Sequence, residues 1–129
     1  MLEIGEDKSL LLVDDDEPFL RRLARAMEKR GFAPEIAGSV AAGKAIATAR
    51  PPAYAVCDLR LEDGNGLDVV EAIRENRPDS RIIVLTGYGA IATAVAAVKI
   101  GATDYLSKPA DANDIMNALL SSGDELPPP

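Results

Sequence analysis

Short apolar runs alternate with longer segments of helical period along this chain of 129 residues. Unbroken apolar runs indicate strands that are buried on both faces, and apolar residues at every third or fourth position indicate amphipathic helices. The predicted strands cover 9–14, 32–38, 53–58, 81–86 and 103–109. The predicted helices cover 16–30, 39–50, 67–76, 91–100 and 111–120. This alternation predicts an α/β domain, a five-stranded parallel sheet in a doubly wound (βα)5 sandwich.

Local signals mark where these elements begin and end. Asp16 is a predicted cap of the first helix, and Pro18 suits its first turn because the missing N–H is not needed there. Ser39 is the predicted cap of the second helix. Pro34 indicates that the second strand lies at an edge or starts irregularly. The stretch EDGNG at 62–66 has the composition of a turn.

Charge and composition narrow the class of protein. The net charge of −7 argues against a surface that grips nucleic acid, because phosphate binding needs clustered lysine and arginine. The chain has no histidine, so histidine supplies neither a nucleophile, nor a base, nor a metal ligand. The single Cys57 excludes an internal disulfide and suits a reducing compartment. With no leader-like N-terminus and no apolar run near the roughly 20 residues that span a bilayer, we expect a cytoplasmic protein that does not enter membranes.

Polar residues follow the carboxyl ends of four predicted strands. Asp14 and Asp15 end the first strand, Asp58 ends the third, Thr86 ends the fourth, and Lys108 belongs to the end of the fifth. In a parallel α/β sheet these ends share one edge, where ligands bind near the point at which the strand order reverses. Five polar side chains that are distant in the sequence are therefore expected to meet at one site.

The residue types at this site suit metal-assisted phosphoryl transfer. Carboxylates of Asp14 or Asp15 and of Asp58 form a hard-ligand set suited to Mg²⁺. Asp58, alone at its strand end, is a candidate carboxylate nucleophile that would form an acyl phosphate. The ammonium of Lys108 would offset charge on the transferring group, and the hydroxyl of Thr86 could donate to one of its oxygens.

Purely structural interpretations of the same residues stay open at this point. The acids at 14–17 could cap the following helix or form a solvated loop. Lys108 could be an ordinary solvated lysine, although its place before Pro109 restricts the backbone. Thr86 could be an ordinary strand-end residue, and Cys57 is predicted to be a small buried one.

Four motifs resemble those of response-regulator receiver domains, the phosphorylation-controlled part of two-component signalling. They are LLVDDDE at 11–17, VCDLRLEDGNGLDVV at 56–70, VLTGYG at 84–89 and ATDYLSKP at 102–109. Their order and spacing match the family over about residues 8–121, and this implies the flavodoxin/CheY-like fold. The chain is further similar to the RegA/PrrA/ActR group of global redox regulators in proteobacteria.

The resemblance implies roles for individual residues. Asp58 matches the phosphoacceptor, while Asp14 and Asp15 match the acidic pair that binds Mg²⁺ together with Asp58 and the backbone carbonyl of Arg60. Lys108 matches the lysine that pairs with the phosphoryl group.

A second set of matched residues forms the family's conformational switch. Thr86 matches the switch hydroxyl, and Tyr105 matches the aromatic residue whose ring turns inward when that hydroxyl moves. The resemblance implies no enzyme in the usual sense, only limited autophosphorylation and autodephosphorylation.

The resemblance also implies a domain plan and partners. The receiver would occupy 1–122, and 123–129 would begin a proline-rich linker to a C-terminal helix-turn-helix domain, through which alone the protein would contact DNA. The proline run itself favours a stiff extended spacer. The phosphodonor would be a histidine on a partner sensor kinase, and phosphorylation could produce a homodimer.

Two departures from the family pattern bear on these expectations. Glu62 stands where many receivers have proline, so the mobility of the loop after Asp58 is left open. The last predicted helix carries no basic residue, so we do not transfer the salt-bridged dimer of one large receiver subfamily, although Lys99 and Asp104 are present. Basic residues on the first helix could help a kinase to dock or could form a solvated face. They are Arg21, Arg22, Arg25, Lys29 and Arg30.

Two other functions are compatible with parts of the pattern. One is a stand-alone receiver that acts as a phosphate shuttle or interaction module. The other is a Mg²⁺-dependent phosphatase with a D-x-D nucleophile motif on the first strand, a spacing that Asp14 and Asp16 satisfy. The phosphatase interpretation gives no role to four of the singled-out residues, Asp58, Thr86, Tyr105 and Lys108.

Overall fold

The computed structural model describes residues 4–87 and 91–121; the predicted linker at 123–129 lies outside them. The strands are β1 (Ser9–Val13), β2 (Ala33–Ala37), β3 (Tyr54–Asp58), β4 (Arg60–Leu61), β5 (Gly64–Asn65), β6 (Arg81–Thr86) and β7 (Asp104–Ser107). The helices are α1 (Glu17–Lys29), α2 (Val40–Ala49), α3 (Leu67–Asn76), α4 (Ile91–Lys99) and α5 (Ala112–Leu120). Among these helices, none is long and apolar enough to reach across a bilayer.

Five strands form one parallel sheet in the order β2-β1-β3-β6-β7. The chain moves from β1 outward to β2 and then returns to the other side of β1 for β3, so the strand order reverses between β1 and β3. A crevice at such a reversal, beyond the carboxyl ends of the strands, is the usual ligand site in open α/β sheets. The predicted doubly wound α/β fold is confirmed.

Two apolar cores cover the two faces of the sheet. Along β1, Leu11 and Val13 enter the core beneath α2, α3 and α4, while Leu10 and Leu12 enter the core beneath α1 and α5. This alternation follows from the two-residue period of a strand. Because both faces are covered, the central strands are apolar between their polar ends, as their sequences predict.

The predicted helix caps are present. The side chain of Asp16 accepts a hydrogen bond from the Phe19 N–H at 3.1 Å, and the Ser39 hydroxyl accepts one from the Ala42 N–H at 3.0 Å. Pro34 lies in β2, which is an edge strand as predicted. The predicted turn at 62–66 belongs to a small antiparallel ribbon formed by β4 and β5.

Candidate functional site

The carboxyl ends of neighbouring strands bring the predicted polar residues to one edge of the sheet. Asp14 directly follows β1, Asp58 is the last residue of β3, and Thr86 is the last residue of β6. Lys108 directly follows β7, and its N–H donates to the Thr86 carbonyl at 2.8 Å. The Lys108–Pro109 peptide bond is cis.

Three carboxylates form a compact acidic cluster at this edge. One oxygen from each of Asp14, Asp15 and Asp58 lies within 4.8 Å of the other two. Asp14 and Asp58 are buried, with 1% and 7% of their surfaces exposed, whereas Asp15 faces solvent. Clustered carboxylate oxygens with one open side suit a hard divalent cation that keeps part of its water shell. The residues present therefore fit a metal ion of this kind.

Lys108 bridges the two buried carboxylates. Its Nζ donates to Asp14 Oδ2 at 2.9 Å and to Asp58 Oδ2 at 3.1 Å, and it lies 5.4 Å from the centre of the Phe19 ring. Burial alone lowers the pKa of Lys108, but the hydrogen bonds and charges of the two carboxylates outweigh it, so the net pKa is raised. The lysine therefore stays charged and supplies the positive charge between Asp14 and Asp58.

Asp58 is electrostatically strained despite this lysine. Burial is the larger cause that raises the pKa of Asp58, and the nearby charge of Asp14 adds to it. Hydrogen bonds and charge from Lys108, and the Arg60 N–H at 3.3 Å from Asp58 Oδ1, act in the opposite direction without cancelling the rise. A further cation beside Asp58 would relieve this cost, since it favours the ionised form.

Thr86 and Tyr105 lie on the side of the site formed by β6 and β7. Thr86 is buried and follows Leu85, the residue that pairs with Asp58 across the two strands. Its hydroxyl points toward the carbonyl of Leu106, at a long distance of 3.5 Å. Tyr105 pairs with Val84 and keeps 36% of its surface exposed. The structure therefore places the hydroxyl next to the acidic edge and the aromatic ring on the outer surface.

The phosphatase interpretation loses its main support in this geometry. The carboxylate of Asp16 caps α1 by accepting the Phe19 N–H, so the second acid of the D-x-D spacing is used in the helix. Asp16 is also outside the three-carboxylate cluster. The acid that joins Asp14 at the site is instead Asp58, from a different strand.

Sequence reasoning missed two residues that shape the loop after Asp58. Gly66 lies so close to Asp58 that a Cβ atom built on it would be 2.0 Å from the Asp58 carbonyl oxygen. Asp63 binds the start of α2, and its two oxygens accept from the Val40 and Ala41 N–H groups. The glycines of EDGNG are a signal of a close approach, but the sequence holds no signal that pairs Asp63 with a helix more than twenty positions earlier.

Known proteins resemble this chain over most of its length. A family model described as the response regulator receiver domain matches residues 10–120. The photosynthetic apparatus regulatory protein RegA of Rhodovulum sulfidophilum is 83% identical over 127 residues, which cover 98% of this chain and 69% of that protein. RegA of Cereibacter sphaeroides is 79% identical over 129 residues, covering 100% of this chain and 70% of its own length. The acid tolerance regulatory protein ActR of Rhizobium meliloti is 69% identical, covering 98% and 66%.

Solved structures of response regulators have a similar fold. A response regulator from Burkholderia pseudomallei, crystallised with a phosphorylated aspartic acid, a calcium ion and citrate, has a TM-score of 0.85 and 42% identity, covering 92% of this chain and 70% of that one. A CheY-like receiver domain protein from Methanospirillum hungatei has a TM-score of 0.84 and 29% identity, covering 93% and 96%.

Proposed function

The chain belongs to the response-regulator receiver family and is closely similar to RegA, and from this premise we propose that Asp58 is its phosphoacceptor. The observation that carries the proposal is the pairing of Lys108 with two buried carboxylates, Asp14 and Asp58, inside a three-carboxylate cluster. A partner sensor histidine kinase would supply the phosphoryl group. The free, buried thiol of Cys57 suits the reducing cytoplasm, where we expect this exchange to occur.

The proposed reaction uses the chain's own residues in distinct roles. An Asp58 oxygen forms a bond to phosphorus as the bond from phosphorus to the donor nitrogen breaks, and the released imidazole keeps that electron pair. The Lys108 ammonium, already beside Asp58, pairs with the phosphoryl oxygens. Bound Mg²⁺, held by Asp14, Asp15, Asp58 and the Arg60 carbonyl, would neutralise charge on the cluster and on the transferred group. The same groups would support slow autophosphorylation from small donors and autodephosphorylation.

Thr86 and Tyr105 are the proposed switch. A phosphoryl group on Asp58 would offer a new acceptor to the Thr86 hydroxyl, whose present contact with the Leu106 carbonyl is long and easily given up. Movement of that hydroxyl would leave space into which the exposed Tyr105 ring can turn. A ring that is either exposed or buried has two packed arrangements, so it can carry a local charge change to an outer surface.

The proposed output is control of transcription through a further domain. We propose a receiver at 1–122 and, at 123–129, the start of a proline-rich linker to a helix-turn-helix domain that makes the only contact with DNA. The regulatory relatives, of whose length the chain spans about 70%, support this plan over a stand-alone receiver. Val95 and Val98 are exposed on α4, a helix that contacts β7, and these exposed valines support a homodimer that forms on phosphorylation.

Intact mass spectrometry tests the phosphoacceptor directly. The protein is incubated with acetyl phosphate and Mg²⁺, and one added phosphoryl group is expected. The adduct should be absent after Asp58→Asn and after metal removal. Asp68→Asn, which changes an exposed acid on α3, should be phosphorylated like the wild type.

Two outcomes would contradict the proposal. An adduct that persists in Asp58→Asn would place the acceptor elsewhere in the chain. If no adduct forms although calorimetry detects Mg²⁺ binding, and rapid-quench sampling finds none at short times, the cluster binds metal without accepting a phosphoryl group.

A further inference from the structure

The amino end of α2 has two caps, one local and one distant. Ser39 accepts from the Ala42 N–H at 3.0 Å, as is common at a helix start. Asp63, 23 positions after Val40, accepts from the Val40 N–H at 2.8 Å and from the Ala41 N–H at 3.1 Å. The first turn of α2 has no acid of its own, so Asp63 supplies the negative charge that the positive end of a helix favours.

The Asp63 carboxylate belongs to the loop that shapes the candidate metal site. It lies in the turn between β4 and β5, five residues after Asp58 and three after Arg60. Leu61 of the same ribbon is buried in the core beneath α2 and α3. The hydrogen bonds from Val40 and Ala41 lower the pKa of Asp63, so the carboxylate stays ionised in this contact.

A ribbon with two residues in each strand does not hold its shape alone, because isolated hairpins are marginal in water. Leu61 fixes one of its strands by burial, and Asp63 fixes its tip by binding α2. Glu62 in this loop does not fix its own backbone dihedral as a proline would. The contact with α2 therefore takes the place of local stiffness.

We propose that Asp63 is a positioning residue for the metal site, which holds the Arg60 carbonyl in place by tying the tip of the β4–β5 ribbon to the start of α2. The inference rests on the proposed function for the identity of the metal ligands. Mg²⁺ demands near-ideal octahedral geometry, so a carbonyl that loses its fixed position weakens binding more than it weakens the fold.

Two variants that each remove a cap of α2 separate an effect on metal binding from an effect on the stability of the helix. Asp63→Ala and Ser39→Ala each remove a cap from the same helix end, but only Asp63 belongs to the loop. Calorimetric titration with Mg²⁺ should give a Kd about tenfold weaker for Asp63→Ala, at the low end of the loss expected for an outer contact of a metal site. The Kd of Ser39→Ala should match the wild type. Asp63→Asn, which keeps one acceptor oxygen, should fall between them, and urea unfolding would verify that all variants are folded.

Two results would overturn the inference. One is a wild-type Kd for Mg²⁺ in both Asp63→Ala and Asp63→Asn. The other is an equal loss in Ser39→Ala, which would mean that the effect passes through α2 and not through the loop. The test does not depend on phosphorylation. If the wild type binds Mg²⁺ but accepts no phosphoryl group, the proposed function is wrong, whereas the Mg²⁺ affinities of the Asp63 and Ser39 variants still test the role of Asp63.

Discussion

At the scale of single residues, the role proposed for Asp58 conflicts with the stability of the fold. Its carboxylate is buried beside Asp14, and the raised pKa means that the folded chain takes up a proton at a higher pH than the unfolded chain does. Stability from this group is therefore present at low pH and is lost as the pH rises through the folded-state pKa. At neutral pH, ionised Asp58 destabilises the metal-free protein.

Asp58→Asn should therefore stabilise the metal-free protein at pH 7, by about 1 to 2 kcal/mol. The amide oxygen can still accept from Lys108, while the repulsion from Asp14 is removed. Urea unfolding in a chelator measures the change, with Asp68→Asn as the exposed control. Saturating Mg²⁺ should shrink or reverse the difference, because only the wild type keeps the full ligand set. A variant that is less stable than the wild type in chelator would contradict this account.

Gly66 is a second residue with a specific role at the site, because the backbone of Asp58 leaves no room for a side chain at this position. Its φ of −58° and ψ of −16° are open to any residue, so alanine meets no conformational penalty there. The obstacle is the backbone carbonyl of Asp58, whose oxygen would lie 2.0 Å from the alanine methyl group and cannot rotate away as a side chain could.

Gly66→Ala should lower the free energy of unfolding by about 2 to 3 kcal/mol, the cost of overpacking a fixed backbone, and should slow phosphorylation because the loop has to move. Gly38→Ala is the matched control, since a methyl group there meets nothing within 4 Å. Urea unfolding compares the two. Equal stability of both variants would show that the loop shifts at no cost.

At the scale of elements, the Asp7 carboxylate connects the segment before β1 to the end of α3. Asp7 accepts from the Ser9 N–H at 3.0 Å and from Arg77 Nη1 at 2.7 Å, and Arg77 caps the end of α3. The hydrogen bonds from Ser9, followed by that from Arg77, lower the pKa of Asp7 to about 2. A lowered pKa gives stability that is present above the unfolded value and is lost as the pH falls toward the folded one.

Asp7→Asn should therefore destabilise the protein at pH 7 by about 0.5 kcal/mol, a small value because the pair is exposed to solvent and salt. The difference from the wild type should shrink as the pH falls from about 4 toward about 2. Urea unfolding at several pH values follows this trend. A difference that stays constant between pH 7 and pH 3 would assign the effect to packing.

The elements also differ in how far their sequences predict them. The run RIIVLT predicts β6 to the residue, because five consecutive apolar or β-branched positions follow Arg81 and end before Gly87. The β4–β5 ribbon has two residues per strand, too few to show any period, so EDGNG indicates only a turn. The edge strand β2 is weaker in pattern, and its predicted ends at 32 and 38 each extend one residue beyond Ala33–Ala37.

At the scale of the whole molecule, the candidate site could be predicted because topology brings it together. Asp14, Asp58, Thr86 and Lys108 each end or follow a parallel strand, and such strand ends share one edge of the sheet. The hydrogen-bond partners of the residues at that edge could not be predicted from the sequence. Lys108 binds both buried carboxylates, and Asp63 binds the start of α2. Both contacts depend on the conformation of loops, and loop sequences have no hydrophobic periodicity from which it could be predicted.

The same topology places Cys57 in the middle of the sheet, so we expect its exposure to require global unfolding. Its side chain is fully buried in β3, which has β1 on one side and β6 on the other. Burial, with a smaller effect of the Asp58 charge, raises the pKa of Cys57 to about 12, so the reactive thiolate is scarce at pH 8. A disulfide reagent should thus report on the stability of the whole domain.

We expect labelling of the native protein at pH 8 to be at least about a thousandfold slower than labelling of the urea-unfolded chain, as the stability of a small domain requires. The rate should rise with urea in proportion to the unfolded population, and Mg²⁺ should slow it, because a ligand that binds only the folded state reduces that population. Absorbance of the released thiol product follows both effects. Rapid labelling that ignores urea and Mg²⁺ would mean that β3 opens locally, and the central sheet would then be less cooperative than its two-sided burial indicates.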